Sequence, residues 1–347
     1  MSLLDDVSIV VTPNGYKAGE LYAVIPSDGA ADMDVTRATD ATRVNESGLI
    51  ADVLSNVPRI DYTGGGCPHI LAEPMRTNIV FPSDVAVTQT RTVTAVAYAL
   101  SFYGTGSIVL SGTHSATLTG TGANDRVDLI FTPTSGSLTL TVTGTVTNWQ
   151  LEVGSYATSL IPTVSGQVTR NQDIFSRDGI GSLINSTEGV LFAEISALSD
   201  DGTNRRISIA KDANNKINMV LSTSSNTVQA IVISLGSVQF NASYAISDTT
   251  LFFKVAIKYK ENDFALWING VEVATDTSGN TFTSGELNKL VFDNSDGNNP
   301  FYGKVKQLQV YDTALTDEQL LQLTGESGTD FYESYAEMAS ALTYTIQ

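Results

Sequence analysis

Short runs in which polar and apolar residues alternate, each ended by a glycine-containing turn, recur through most of the chain after about residue 84. In one of them, Leu138, Leu140 and Val142 alternate with threonines. Such alternation is typical of a β-strand that buries one face, and a flexible linker has no need of it. Runs of this kind, separated by turns at roughly 8- to 12-residue spacing, predict a mostly β protein built from sandwiches.

Changes in composition predict four segments. They are an N-terminal leader and wrapping segment, a jelly-roll-like sandwich, a second sandwich, and a C-terminal helix with its tail, over residues 1–83, 84–170, 171–327 and 328–347. The first sandwich is rich in threonine, valine and glycine. The leader has several prolines and no sustained periodicity between residues 32 and 80, so we expect it to wrap over other surfaces without a core of its own.

Local signals add detail at both ends of the chain. The leader is predicted to begin with two strands, Val7–Thr12 and Glu20–Ile25, joined by a turn at Pro13-Asn14-Gly15. Within the leader, arginines at positions 37, 43, 59 and 76 lie close in sequence to acids at positions 34, 40, 61 and 73. We expect such pairs to hold the wrapping segment on a sandwich.

The second sandwich carries the clearest turn and helix signals. Asn269-Gly270, between two alternating runs, predicts a two-residue hairpin turn of type I′. Thr316 and Gln319 predict the capping box of a short helix that stops at Gly325. A helix of about two turns is not stable alone, so we expect this one to dock on the sandwich.

The C-terminal tail is predicted to form a last helix. An apolar stripe at helical spacing runs along it, made of Phe331, Tyr335, Met338 and Leu342. Two interpretations stay open: the stripe docks on its own chain, or it docks on a neighbouring subunit and serves assembly.

Charge and rare residues exclude several classes of protein. With 37 acidic and 19 basic residues the net charge is −18, and such a chain lacks the basic surface that nucleic acid or an anionic membrane requires. The N-terminus has Asp5 and Asp6 where an export signal has basic residues, and no apolar run is long enough for a membrane span. We therefore expect synthesis in a cytoplasm, and glycans, cations or other proteins as partners.

The sequence does not predict an enzyme. Cys67 is the one cysteine and there are two histidines, so neither a disulfide framework nor imidazole chemistry is indicated. Glycosidases require two carboxylates across a cleft, but the candidate strand VLFAEISAL has Glu194 alone. We interpret Glu194 as a solvent-facing or hydrogen-bonded strand residue.

One loop, DNSDGNN, has oxygen-rich side chains at Asp293, Asn294 and Asp296. Hard oxygen ligands suit Ca²⁺. The spacing does not match an EF-hand, however, and aspartate, asparagine and glycine are also the usual residues of turns. Turn chemistry is therefore the first interpretation of this loop, and a calcium site is the alternative.

A sugar-binding surface in a sandwich usually combines an aromatic side chain with polar neighbours, because pyranose faces are apolar and their edges carry hydroxyls. The candidates are Phe301 and Tyr302, which follow Pro300, together with Asn298 and Asn299 beside them. Trp267 is a further candidate, although its place in an alternating strand favours core packing.

Two blocks carry a resemblance to a known family: PRIDYTGGGCPHILAEPMRTNIV over residues 58–80 and WQLEVGSYATSLIPT over 149–163. Both resemble segments of modular virion proteins of tailed bacteriophages that infect Bacteroidota, crAss-like phages included. The first block is similar to an R-I-D-Y … L-L-E-P-x-R-T-N pattern found before carbohydrate-binding-like modules, with Ala72 in place of the second leucine. Residues 171–326 look like a concanavalin A-like, laminin-G-type lectin domain, and the two ends of the chain also resemble such phage proteins.

This resemblance implies a virion structural protein, displayed as a head or tail fibre, a spike or another capsid-surface appendage. Its lectin-like modules would contact host surface glycans, its partners would be other virion proteins, and it would be a homo-oligomer, most simply a trimer. Two alternatives stay open: a polysaccharide depolymerase, and a purely structural decoration or adaptor protein without a ligand.

Overall fold

In the computed structural model, residues 3–325 are described, and they form two β-sandwiches with one α-helix. The predicted C-terminal helix over 328–347, with its stripe Phe331, Tyr335, Met338 and Leu342, lies outside the described residues. Among residues 3–325, no helix is long and apolar enough to cross a membrane. The mostly β fold predicted from the alternating runs is therefore confirmed.

The first 83 residues contain more regular structure than the sequence predicts. After a 3-10 turn at Leu3–Asp5, they form eight strands: β1 Val7–Lys17, β2 Glu20–Ile25, β3 Met33–Thr36, β4 Ala41–Val44, β5 Ile50–Val53, β6 Ile60–Asp61, β7 His69–Ala72 and β8 Arg76–Asn78. Strands β3 to β8 have at most four residues each, too few for a periodic pattern to be visible in the sequence. The stretch from 32 to 80 was thus wrongly predicted to be irregular.

The turn predicted at Pro13-Asn14-Gly15 is also wrong. Strand β1 continues through these residues with a shift in register, and the chain reverses at residues 18 and 19 instead. Lys17 pairs with Glu20 across that reversal, and Gly19 adopts a φ of 88°, which favours glycine. A bulge therefore accommodates the turn-forming residues inside a strand.

The jelly-roll-like sandwich is formed by seven strands: β9 Gln89–Val93, β10 Tyr98–Gly104, β11 Ser107–Gly112, β12 Ala116–Thr119, β13 Gly122–Phe131, β14 Gly136–Thr143 and β15 Val146–Val153. A three-stranded sheet, β13-β10-β15, packs on a four-stranded sheet, β12-β11-β14-β9. Leu138 and Leu140 are fully buried in the core between them, beside Phe102 and Trp149. The predicted alternation in this region is confirmed.

Strand β16, Val168–Arg170, pairs with β8 in a separate two-stranded sheet. The second sandwich follows it and includes a 3-10 turn at Gly181–Leu183. Its strands are β17 Ile174–Asp178, β18 Glu188–Ala197, β19 Arg205–Asp212, β20 Asn215–Leu221, β21 Thr227–Ser234, β22 Ser237–Ala245, β23 Phe253–Lys260, β24 Phe264–Ile268, β25 Val271–Asp276, β26 Lys289–Val291 and β27 Gly303–Tyr311. Asn269 and Gly270 both have positive φ in the hairpin between β24 and β25, as a type I′ turn requires.

Strands of the leader complete this sandwich. One layer, the β18 sheet, has the order β1-β27-β18-β23-β24-β25, and the other, the β20 sheet, has the order β3-β17-β26-β19-β20-β21-β22, with β2 linking the two. Phe240 of β22 stacks on Phe264 of β24 across the core. Buried leader residues such as Ile9 and Val35 belong to the same core, so the leader has no core of its own, as expected.

The outer face of the β18 sheet is covered in part by the helix α1, Asp317–Thr324. The capping box of Thr316 and Gln319 is present, and Leu320 is fully buried against Trp267 and its neighbours. The predicted docked helix is confirmed. The helix packs on strands β23 to β25, whereas β18 and β27 of the same sheet carry polar side chains such as Glu194 and Gln307.

A cluster of buried charges, which we call the clasp, holds the leader to both sandwiches. It consists of Arg37, Arg59, Glu73, Arg170 and Asp173, at or next to the ends of β3, β6, β7, β16 and β17. Arg59 Nη1 lies 2.6 Å from Glu73 Oε2, and the same guanidinium pairs with Asp173. Arg37 Nη1 lies 2.9 Å from Asp173 Oδ1, and Arg170 Nη1 lies 2.8 Å from Glu73 Oε2.

The clasp brings together the two sequence blocks over 58–80 and 149–163. Ser159 donates two hydrogen bonds to the Glu73 carboxylate, from N at 2.8 Å and from Oγ at 2.7 Å. Asn78 Nδ2 donates to the carbonyl oxygens of Trp149 and Ile161 at 3.2 and 3.0 Å. Of the arginine–acid pairs expected from the sequence, only Arg59 with Glu73 is formed among the described residues. Arg37 and Arg76 pair with the distant acids Asp173 and Glu152 instead, and Arg43 donates to the carbonyl oxygen of Ile60.

Candidate functional site

The outer face of the β20 sheet carries a group of polar side chains on neighbouring strands. Strand alternation points Ile207, Ile209, Ile217 and Met219 into the core and leaves the residues between them on the other face. On that face Ser208 of β19 pairs in register with Asn218 of β20. Arg206 lies two residues before Ser208 and Lys216 two residues before Asn218, so the two bases flank this pair on opposite sides. Lys289 of the adjacent strand β26 pairs with Ala210.

The loop from 292 to 300 lies across this face. It is closed by hydrogen bonds from Phe301 N to Phe292 O at 2.8 Å and from Asn294 N to Asn298 O at 2.9 Å. Arg206 N donates to Asn299 O at 3.1 Å and so joins the loop to the edge of strand β19. We call this loop and the side chains beneath it the basic face.

Three basic side chains of the basic face bind oxygens of the loop. Arg206 Nη1 and Lys216 Nζ both donate to Asn294 Oδ1, each at 2.9 Å. Lys289 Nζ donates to the carbonyl oxygen of Ser295 at 2.7 Å. In the described part of the chain none of the three is in an ion pair with a carboxylate. Three positive charges therefore meet only neutral oxygens.

The environment of Arg206 and Lys216 disfavours their charge. Burial lowers the pKa of the Arg206 guanidinium, and the nearby Asp296 carboxylate only partly opposes it. Burial also lowers the pKa of the Lys216 ammonium, opposed by Asp296 and reinforced by the like charges of Arg206 and Lys289. The shared effects show that the bases are close enough to repel one another.

Several buried polar atoms of the basic face have no hydrogen-bond partner. Asn218 is fully buried, its Oδ1 lies 2.7 Å from Ser208 Oγ, and its Nδ2 has no partner. The other such atoms are Arg206 Nε, Asp293 Oδ1 and Ser295 Oγ. Buried polar groups are nearly always bonded, so a group of unpaired donors and acceptors at one place marks a candidate binding site.

The predicted aromatic sugar platform is not formed. Phe301 is only 1% exposed and packs edge-on against Phe292 in the core, so it is wrongly predicted as a binding residue. Trp267 is also wrong, because helix α1 covers it. Tyr302 is half-buried and donates to Gln172 Oε1 at 2.6 Å; burial raises its pKa to about 12. Phe301 and Tyr302 both lie before strand β27, and Phe301 is held inward by its packing on Phe292 and by the hydrogen bond from its N–H to Phe292 O.

The predicted polar candidates lie on the loop itself. Asn298 is exposed, and Asn299 is half-buried with a φ of 50° and its carbonyl oxygen bonded to Arg206 N. The structure therefore places these two at the basic face, without the aromatic partners that the sequence indicated.

The three loop residues predicted as calcium ligands differ in their contacts, and the Asp293 Oδ1 atom has no hydrogen-bond partner. Asn294 Oδ1 accepts from Arg206 and Lys216, and Asp296 Oδ1 accepts from Asn298 N at 3.0 Å. A divalent cation here would be repelled by the adjacent positive charges. Among residues 3–325, no group of three histidine, cysteine or acidic residues is placed to hold a metal ion. The arrangement favours turn chemistry over the calcium alternative.

Glu194 is a hydrogen-bonded strand residue, one of the two roles given to it above. Its Oε1 accepts from Lys306 Nζ at 3.0 Å and its Oε2 from Gln307 Nε2 at 3.1 Å. Both partners come from the adjacent strand β27, so the negative charge of the carboxylate is paired with a lysine of the same sheet.

Sequence reasoning missed the bases beneath the loop. A signal was present in KINMVL, where Lys216 and Asn218 alternate with residues of the core. Lysine and asparagine are seldom buried, so their place on a central strand indicates polar partners on its outer face. What no local pattern shows is that a loop about seventy-five residues later supplies their partners.

The strands that form the basic face belong to a part of the chain that matches a known family. The sequence model of the concanavalin A-like lectin/glucanases superfamily matches residues 186–321. This match covers strands β18 to β27 and most of helix α1, so this part of the chain is a concanavalin A-like domain. No curated protein sequence matches the chain.

Solved structures show a partial likeness. The Ruminococcus gnavus IT-sialidase CBM40 bound to α2,3 sialyllactose has 18% identity and a TM-score of 0.35, with 40% of this chain and 83% of that chain covered. Domain 4 of AbnA, a GH43 extracellular arabinanase from Geobacillus stearothermophilus in complex with arabinotriose, has 17% identity and a TM-score of 0.37, with 49% and 83% covered. Similarity at this level identifies no ligand.

Proposed function

We propose that this protein is a carbohydrate-binding appendage protein of a phage virion that contacts host surface glycans and has no catalytic activity. The observation that carries the binding role is the basic face: buried donors and acceptors without partners, on the outer side of a concanavalin A-like sandwich. Sugar hydroxyls donate and accept hydrogen bonds, and so match both kinds of unpaired group, which a ligand would reach by displacing the loop over them.

The virion role is supported by the two sequence blocks that resemble phage proteins. Arg59 and Glu73 of the first block belong to the clasp, and Ser159 of the second block bonds to both Glu73 and Arg170 of the clasp. Through these contacts the blocks join the jelly-roll sandwich to the segment that leads into the lectin-type sandwich. A rigid joint of this kind suits a protein that displays binding modules on a particle. We propose a homotrimer as its assembly state; light scattering of the purified protein tests this.

Glycan binding is tested by titrating the purified protein with host capsular oligosaccharides. We expect binding without release of new reducing ends, and we expect Asn298→Ala to weaken it severalfold, since Asn298 lies on the loop of the basic face. Asn280→Ala is the matched control, an exposed asparagine on another loop, and should bind like the parent.

Each alternative has its own outcome. Release of reducing ends that is lost in Glu194→Gln would favour the depolymerase, and absence of all saccharide binding would favour the decoration or adaptor protein. Gold-labelled antibody against the protein should mark phage particles at defined positions. Unlabelled particles would contradict the virion role and leave glycan binding to be judged by the titration.

A further inference from the structure

We propose that the basic face holds a subsite for the anionic group of an acidic saccharide, either a carboxylate or a sulfate. The inference rests on the proposed glycan-binding function and adds the chemical class of the ligand. The groups that form the subsite are Arg206, Lys216 and Lys289, with Asn218 beneath the loop.

The bases converge on the loop although the chain as a whole is strongly acidic. Arg206 and Lys216 share one acceptor atom, Asn294 Oδ1, at 2.9 Å each. Two cationic donors on one oxygen is the arrangement that a carboxylate or sulfate oxygen would complete, because charge-assisted hydrogen bonds are shorter and roughly twice as strong as neutral ones. The neutral Asn294 amide therefore occupies the place of an anion and is the group that a ligand oxygen would replace.

Unpaired atoms beside this point suit the rest of an acidic sugar. Asn218 Nδ2 and Arg206 Nε are donors without partners, and Ser295 Oγ is a hydroxyl without one. A ring carrying hydroxyls next to its anionic group would pair with both kinds of atom. A neutral sugar would meet the hydroxyl partners but would leave the bases without a negative charge.

Three acids lie near the bases, and in the described part of the chain none forms an ion pair with them. Asp293 Oδ1 is buried in the same loop without a hydrogen-bond partner, and Asp212 acts on Lys216 through space only. Asp296 acts on Arg206 and Lys216 through space, but its side chain is exposed and accepts a hydrogen bond within the loop, from Asn298 N. An anion that enters between the bases would thus add the first directly bonded negative charge, and the binding should weaken as salt screens the interaction.

Two matched pairs of oligosaccharides test the class of ligand. One pair is oligogalacturonate and its neutral methyl ester, for the carboxylate; the other is a sulfated galactan oligosaccharide and its desulfated form. Calorimetric titration should show about tenfold tighter binding for the acidic member of at least one pair, which corresponds to one charge-assisted contact. The pair that shows the difference identifies the source of the anion.

Variants locate the subsite. Lys216→Met and Arg206→Gln should each abolish most of the preference for the acidic member, whereas Asn294→Ala should strengthen acidic binding severalfold because it removes the competing oxygen. Lys211→Met is the matched control: this exposed lysine on strand β19 pairs with Glu286 and should leave both affinities unchanged. Circular dichroism and the urea midpoint of every variant show whether it is folded.

The outcomes separate the two proposals. Equal affinity for acidic and neutral members, or an acidic preference that survives in both Lys216→Met and Arg206→Gln, would overturn the anionic subsite and leave glycan binding in place. Absence of binding to these four oligosaccharides, with neutral host glycans still bound, would also overturn it. Absence of binding to any saccharide would contradict the proposed function itself.

Discussion

The clasp and the basic face are both groups of basic side chains withdrawn from solvent, yet their partners differ. In the clasp, Arg59 and Arg170 pair with the Glu73 carboxylate, and every base has an acid within ion-pair distance. On the basic face, Arg206 and Lys216 meet a neutral amide oxygen instead. Bases whose charge is already matched hold a structure together, whereas bases that lack a matching charge are the ones that the proposed anionic ligand would pair with.

The two regions should therefore respond differently to the loss of one base. A buried ion pair that loses a partner leaves an uncompensated charge in the interior, which is strongly destabilising. A base that loses contact with a neutral oxygen leaves no such charge.

The largest effect is expected for Arg59→Met in the clasp. This change leaves Asp173 and Glu73 with less positive charge around them, and buried pairs broken in this way lose about 3–5 kcal/mol of the free energy of unfolding. Urea unfolding, followed by tryptophan fluorescence, measures the loss.

Lys260→Met is the matched control, because Lys260 pairs with Glu188 at 2.9 Å on the surface, and exposed pairs contribute about 0–1 kcal/mol. If Arg59→Met changed the free energy of unfolding no more than Lys260→Met does, the clasp would not be a stabilising element.

A smaller effect concerns the pH dependence of stability. Burial opposes ionisation of Glu73, but Arg170 and Arg59 hold its pKa well below the ordinary value of 4.5. In the unfolded chain that pKa is ordinary, so the contribution of Glu73 to stability is present above about pH 5 and declines as the pH falls below it. Glu73→Gln should lower stability at pH 7 and make the decline between pH 5 and pH 3 shallower.

Urea midpoints at several pH values measure this slope. Glu46→Gln, at an exposed position of the leader, should keep the slope of the parent protein. An unchanged slope in Glu73→Gln would mean that Glu73 is not held ionised by the arginines.

The smallest effect is expected for Lys216→Met on the basic face. Asn294 Oδ1 keeps its hydrogen bond from Arg206, and methionine fills a similar volume without a buried charge. The free energy of unfolding should therefore change by no more than about 1 kcal/mol. A loss as large as that of Arg59→Met in the same urea assay would show that both regions are structural.

The sequence predicts features that depend on neighbouring residues. Thr316 and Gln319 form the capping box three residues apart, and Asn269-Gly270 forms the hairpin turn within one dipeptide. Leu138 and Leu140 indicate their strand because it is long enough to alternate. In each case the partner that decides the structure is only a few residues away.

Features that depend on distant partners were not predicted. Asp173, which completes the clasp, lies a hundred residues after Glu73. Asn294, whose loop covers Lys216, lies far later in the chain than the strand that carries Lys216. Phe301 lies in a loop before β27, as the sequence indicates, but its burial depends on Phe292, against which it packs and to whose carbonyl oxygen its N–H donates. Tertiary pairing decides these positions, and it leaves no local pattern.

Hydrogen exchange measured by mass spectrometry, with and without saturating acidic oligosaccharide, tests most directly whether the basic face binds and the clasp only holds. We predict slower exchange in peptides covering 206–221 and 289–300, with no change in peptides covering 58–78 and 149–173. Slower exchange in the clasp peptides with none at the basic face would contradict the account.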